Sequence, residues 1–391
     1  MRVFTNPQRV PGPTRERGLS LVEILVGVLI AMIGIVVIFS VLAVAEARKR
    51  TTTAGSDAQT AGAIALFSLE RDLKQAGYGF GTFGTKNPIN CTVDAYDALR
   101  PAPDFDFPLA PVTITQGAAG APDTLTTFYG NSPLIVAGKA FTFSGATAKQ
   151  TSSSLGGRTG LMKGDVLLIA GQVGAALECQ LVEVTDNTNA DAVTINHGTG
   201  SYTPENSATS VTARYNKATG PAFVNGFIYD LGAAPTRSVW SIQAANGVPR
   251  LVVQDDLRWT DADADGTNDL LQVFDDIINL QAEYGVATDS NGDGQLDRIG
   301  AWQTAAPADM SSVYAVRFAI LSRSRQAEKE KVTNAAPQWA GGAFTMTNVD
   351  GAADSNPGDA VKGEPNNWRN YRYRVYETLV PLRNLVWGNI P

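Results

Sequence analysis

Residues 18–50 read GLSLVEILVGVLIAMIGIVVIFSVLAVAEARKR, and the reading of this stretch decides how the chain is built. From Leu19 to Ala45 it runs 27 residues with one ionisable side chain, Glu23. At about 1.5 Å per helical residue it reaches about 40 Å, enough to cross a hydrocarbon core of about 30 Å. The preceding segment carries Arg2, Arg9, Arg15 and Arg17 against Glu16, a net charge of +3. A basic flank before the span predicts a cytoplasmic N-terminus and an exported body, although Arg48, Lys49 and Arg50 on the far side weaken that asymmetry. A secretory signal peptide fits badly. Its apolar region is about 7–15 residues and ends at a small-residue cleavage site, whereas here the run is much longer and Gly18 lies before it. A plain membrane anchor leaves Glu23 unexplained, because a carboxylate in an apolar helix is costly unless it has a partner or a task.

Working outward, Ala58, Ala61, Ala65, Leu66, Leu69, Leu73 and Ala76 recur at helical spacing, and Gly77 and Gly79 end the pattern. Read as one helix, residues 19–45 form an apolar first half and 46–77 an amphipathic second half. Thr51–Thr53 and Gly55 weaken its middle, where a bend or local melting is expected. Beyond residue 78 come short strand-like runs: TLTTFYG, AFTFSG, DVLLIAG, CQLVEVT, AVTIN, SVYAVRFAILSR and YRYRVYETLVPL. Asn246-Gly247 between two such runs is a strong hairpin signal. The expected class is α+β, a long helix on a large β-rich head spanning 78–391, with a candidate inserted subdomain at about 100–235.

Composition narrows the chemistry. Of 391 residues 44% are hydrophobic and 18% charged, below the roughly 25% charged of average soluble domains. The net charge of −7 disfavours binding to duplex nucleic acid. With one histidine, His197, and two cysteines, a Cys/His zinc site is excluded. His197 has no visible nucleophile partner and reads as a surface or loop residue; no G-x-S-x-G elbow or phosphate loop occurs. No catalytic residue and no required cofactor is expected. Arg369, Arg372, Arg374 and Arg383 interleave with Tyr371, Tyr373 and Tyr376, as on a nucleic-acid face, but the alternation over 371–375 is also that of a strand with one buried face, which is the preferred reading.

Two acidic loops carry a metal signal. Asp289, Asn291, Asp293, Gln295 and Asp297 fall at the alternating positions of a calcium loop, with Gly294 at its sharp turn. Asp261, Asp263, Asp265, Thr267 and Asp269, with Gly266, repeat the spacing. The closing glutamate is missing from both, Gln272 and Gly300 standing at the twelfth positions, so affinity would fall unless another carboxylate such as Asp275 or Asp276 completes the shell. A solvated Asp/Gly turn is the alternative. Cys91 and Cys179 both lie in the segment expected to be exported, where pairing is favoured; two separate buried thiols stay open.

The string Gly18-Leu19-Ser20-Leu21-Val22-Glu23, between a basic leader and an apolar helix, resembles the processing site of type IV pilins and type II secretion pseudopilins. The resemblance implies that a prepilin peptidase cuts after Gly18, removing leader 1–18, and N-methylates Leu19. Glu23 then becomes the fifth mature residue, and its carboxylate can neutralise the α-amine of a neighbour in a filament core. DAQTAGAIALFSLERDLKQAGYGFG, IINLQAEYGVATDSNGDG and YRYRVYETLVPLRNLVW resemble the minor pilin family called PilW; residues 100–235 carry only weak likeness. That family implies a subunit of the complex that primes pilus assembly, with other minor pilins, the major pilin and a PilY-type tip adhesin as partners, serving adhesion and twitching motility. It implies an inner-membrane protein of a Gram-negative-type bacterium, its head periplasmic, later at the pilus tip. A J-type pseudopilin of type II secretion is the rival reading, and a membrane-tethered calcium-dependent adhesin the third.

Overall fold

The computed structural model describes residues 20–81, 88–133, 138–142, 150–153, 160–173, 176–186, 194–205, 207–221, 223, 225–245, 247–293, 296–328, 330–348 and 367–388. Helix α1 (Leu21–Gln75) is continuous through Thr51–Thr53 and Gly55, the stretch expected to bend or melt. Two compact units divide the chain within this helix, Met1–Ala54 and Gly55–Pro391. In the first unit the described residues are the apolar helix, whose Leu21–Leu42 stretch of 22 residues is long and apolar enough to cross a membrane.

In the second unit the sequence builds three main sheets. An eight-stranded sheet is ordered β2 (Asp104–Pro108), β1 (Thr92–Tyr96), β8 (Ala176–Glu183), β7 (Val166–Val173), β12 (Asn225–Asp230), β5 (Lys139–Thr142), β6 (Gln150–Ser153) and β9 (Thr194–Asn196). A five-stranded sheet runs β15 (Leu270–Asp275), β14 (Val248–Asp255), β13 (Thr236–Ala245), β4 (Thr124–Tyr129) and β3 (Val112–Thr115). A four-stranded sheet runs β17 (Arg298–Gln303), β16 (Ile277–Thr288), β18 (Val313–Arg323) and β21 (Tyr373–Pro381). Two short ribbons, β10 (Ser201–Tyr202) with β11 (Val211–Thr212) and β19 (Gln338–Trp339) with β20 (Gly342–Ala343), and a short helix α2 (Arg383–Gly388) complete it. Ala245 pairs with Val248, so a two-residue turn joins β13 and β14, with Gly247 at φ +77°; Asn246 lies outside the described residues. Such a turn asks for positive φ, which glycine accepts without cost.

The end of α1 organises the largest core. Ala65, Leu69, Leu73 and Ala76 are buried against Leu125, Trp240 and Leu251 of the five-stranded sheet and Leu280, Val316 and Val380 of the four-stranded one. Gly62 lies where Tyr376 approaches: an added Cβ would sit 2.4 Å from the ring, and the Tyr376 hydroxyl donates to the Gln59 carbonyl at 3.0 Å. The helix then stops where Gly77 and Gly79 take φ of +81° and +93°. Asp72, on the same buried face, accepts from Trp240 Nε1 at 3.1 Å and Tyr129 Oη at 3.4 Å. Desolvation raises its pKa, so these donors are what make a buried carboxylate tolerable there.

The eight-stranded sheet carries its own cores, with Val93, Phe107, Leu168 and Leu181 on one side and Leu167, Ile169, Val182 and Ile195 on the other. Cys91 and Cys179 form a disulfide beside the parallel pairing of β1 with β8, in which Val93 faces Cys179. Their separation of 88 residues gives a closed loop whose chain-entropy value is about 4–5 kcal/mol.

His197 corrects the sequence reading. It is buried rather than on the surface, and its Nε2 has no hydrogen-bond partner among the described residues. Desolvation disfavours the imidazolium and lowers its pKa to about 4. Between pH 6.5 and 4 the unfolded chain therefore takes up a proton that the folded chain refuses, and stability is lost as pH falls through that window. Asp255, pushed up to about 6 by burial, acts with the opposite sign: it gains stability as pH falls from about 6 toward 4. Because His197 is the sole histidine, a single imidazole Hε1 resonance reports it. We expect a titration midpoint near 4 and, in His197→Gln, loss of the acid-side destabilisation; a midpoint near 6.5 would place the ring in water.

Candidate assembly helix and acidic loops

At the start of α1 the backbone N–H of Ser20 donates to Glu23 Oε2 at 3.0 Å, and the N–H of Glu23 donates to Ser20 Oγ at 3.2 Å. This is a reciprocal capping box. The first turn of a helix leaves orphan N–H groups, and an S-x-x-E spacing satisfies two of them while placing a negative charge at the positive end of the dipole. The Ser20-x-x-Glu23 spacing is the sequence signature of such a helix start. Glu23 thus has a local partner within its own chain. The scissile pair Gly18 and Leu19 lies outside the described residues. Downstream, Ile24, Leu29, Ile33 and Phe39 are all more than half exposed on the chain taken alone, an apolar surface that water would not cover favourably. The apolar helix fits a membrane-anchored protein.

In the second unit, the β14–β15 connection brings the carboxylates of Asp261, Asp263 and Asp265 together, with one oxygen of each within 4.8 Å of the others. The loop curls because Asp261 accepts from the N–H groups of Asp265 at 3.0 Å and Gly266 at 3.1 Å, with Gly266 at φ +81°. Thr267 donates its N–H and hydroxyl to Asp265 Oδ1 at 2.8 and 2.6 Å, and the Asp265 pKa is lowered by those bonds. Asp269 is used differently: its Oδ2 accepts from the N–H of Ala262 at 2.9 Å. Three clustered carboxylates are the right donors for a hard cation, which takes about 6–8 oxygens; Thr267 and Asp269 are engaged within the loop.

The other loop, between β16 and β17, is arranged otherwise. Asn291 Nδ2 donates to Asp293 Oδ2 at 3.1 Å, and Asp289 Oδ1 accepts from Gly292 N at 2.6 Å. Asp297 is drawn to Ser290, accepting its hydroxyl at 2.5 Å. Among the described residues Asp289, Asp293 and Asp297 form no such carboxylate cluster; Gln295 and Gly294 lie outside them.

A network that sequence spacing did not signal joins the loops of two sheets. Arg214 donates Nε and Nη2 to the two oxygens of buried Asp97 at 2.7 and 2.6 Å, and Asp97 also accepts from Trp259 N at 2.8 Å. Arg100 reaches Asp256 Oδ1 at 2.7 Å, and Arg237 pairs with the same carboxylate. Such bidentate pairs set geometry as well as contributing energy. They fasten residues 97–100 and 214 to the 237–259 segment. Substituting Ser20→Ala removes one half of the helix cap, worth about 1 kcal/mol. Amide exchange at residues 22–24 in micelles is expected to quicken about fivefold, with amides beyond residue 60 unchanged.

No curated protein and no solved structure matches this chain. Residues 239–384, from within β13 to the start of α2, match the family described as PilW, type IV pilus-assembly protein W; the match covers a little over a third of the chain and supports involvement in type IV pilus assembly.

Proposed function

We propose that this chain is a minor pilin of a type IV pilus, a non-catalytic subunit of the tip complex that primes filament growth. The PilW match over residues 239–384 carries the reading. The exposed apolar helix with Glu23 in its first turn supports it. In this reading the peptidase cuts between Gly18 and Leu19 and methylates Leu19. The helix holds the subunit in the inner membrane with its head outside, and assembly moves it into the filament. Before assembly the capping box keeps the Glu23 carboxylate hydrogen-bonded in an apolar setting. In the filament a neighbour's α-amine competes for that carboxylate, which favours one axial stagger of subunits. Other minor pilins, the major pilin and a PilY-type adhesin are the partners, and adhesion and twitching motility the outcomes.

The test is a strain lacking the gene, complemented with wild-type or Glu23→Ala chains, with sheared surface filaments and secreted enzyme activity measured side by side. The expected result is loss of filaments with normal secretion, restored by wild type alone. Normal filaments with lost secretion would instead identify a type II secretion pseudopilin. If neither changed, the assembly reading would fail.

We also propose that Asp261, Asp263 and Asp265 hold a calcium ion that stiffens the β14–β15 connection. The purified chain is expected to melt at a higher temperature in millimolar calcium, and Asp263→Asn to abolish the increment. An identical melting temperature with calcium and with chelator would leave the loop as a solvated turn.

A further inference from the structure

The second unit holds a cavity of about 700 Å³, within the range of roughly 300–1,000 Å³ typical of small-molecule sites. Its wall is built by the turn before β7, the β10–β11 ribbon and the segment after β12. All but one of its residues precede position 239, so the cavity belongs almost wholly to the part of the chain outside the PilW match. Its existence therefore does not rest on the pilus reading.

The charges of the lining balance. Lys163, Arg214 and Arg258 face Asp165, Glu183 and Asp230. Several of these groups are already spoken for. Arg214 is held by Asp97, and Glu183 accepts from Arg214 N at 2.6 Å, from Tyr215 N at 3.1 Å and from the Tyr202 hydroxyl. Asp230 accepts from Ser132 Oγ at 2.5 Å and Gly232 N at 2.8 Å.

Other capacity is unspent. Asp165 uses Oδ2 to accept from Met162 N at 2.7 Å, and its other oxygen has no donor among the described residues. Lys163 and Arg258 make no side-chain hydrogen bond or ion pair to a described residue; the charge of Arg258 is felt by Asp255. The cavity thus offers one strong acceptor and two cationic donors beside the apolar surfaces of Tyr202, Tyr215, Pro204 and Met162. Gly164, at φ +101°, keeps the Asp165 turn open beneath Tyr202, whose hydroxyl would lie 3.4 Å from an added Cβ.

An anion would meet Asp165, and a cation would meet Lys163 and Arg258. A neutral ligand that both donates and accepts hydrogen bonds, and presents an apolar face, meets every unspent group without burying net charge. We propose that this cavity is a binding site for a short neutral oligosaccharide, with Asp165 accepting from sugar hydroxyls and Arg258 and Lys163 donating to them.

The full chain, in micelles of a detergent without a sugar headgroup, is titrated with cellobiose, lactose and N,N′-diacetylchitobiose, and with glycylglycine as a zwitterion. Binding is read by calorimetry and saturation-transfer NMR. At least one disaccharide is expected to bind with Kd of about 1 mM or tighter. Asp165→Asn and Arg258→Gln should each weaken it about tenfold or more at unchanged melting temperature. Arg258 is exposed, so its variant remains informative if Asp165→Asn misfolds. The proposal is overturned if none of the three disaccharides binds, if binding ignores both variants, or if glycylglycine alone binds with that sensitivity.

Discussion

The burial of one face of α1, from Ala65 to Ala76, is the constraint on which the head depends. Leu69 and Leu73 are fully buried where the five-stranded and four-stranded sheets meet the helix, and truncating such a leucine typically costs about 2–5 kcal/mol. Between them Asp72 sets the rotation. Its carboxylate must reach Trp240 Nε1 and Tyr129 Oη, because a buried charge without donors is far more costly than an exposed one. Gly62 adds a second restriction, since only a residue without Cβ lets Tyr376 lie against the helix. Together they allow one register of helix on sheet.

From that register the rest of the second unit follows by attachment. The sheets that meet the helix lie largely in the segment matching the pilus-assembly family, whereas the eight-stranded sheet precedes it in the chain. That sheet is fastened by bidentate Arg214–Asp97 and by Arg100 and Arg237 on Asp256. It is closed internally by the disulfide between Cys91 and Cys179. A parallel pair such as β1 and β8 needs a long crossover, and the covalent link removes much of the entropy that opening it would release. The outcome is an assembly-family segment carrying a separately cored sheet with a balanced polar cavity at its margin.

The capping box changes how Glu23 is understood. An acidic residue near the start of an apolar helix invites an intermolecular explanation. Its carboxylate and the Ser20 hydroxyl also satisfy helix N–H groups that nothing else in a hydrocarbon setting would satisfy. The local bonds lower the cost of keeping that carboxylate on an apolar helix.

Local pattern made several features legible in the sequence. The apolar run read over residues 19–45, the glycines that stop α1, the Asn246-Gly247 turn and most strand cores depend on neighbours within a few residues. The spacing of Asp261, Asp263 and Asp265 likewise announced a curled loop. Tertiary structure decided the features that pair distant residues. Asp72 looked like any charged helical residue until Trp240, 168 positions away, supplied its donor. His197 looked exposed because a polar residue between turns usually is, yet the fold closes over it. The Arg214–Asp97 pair and the wall of the cavity are assembled from separate strands and loops. Periodicity reports which face of an element avoids water; it carries no term for which distant face will cover it, and that choice is made only when the whole chain packs.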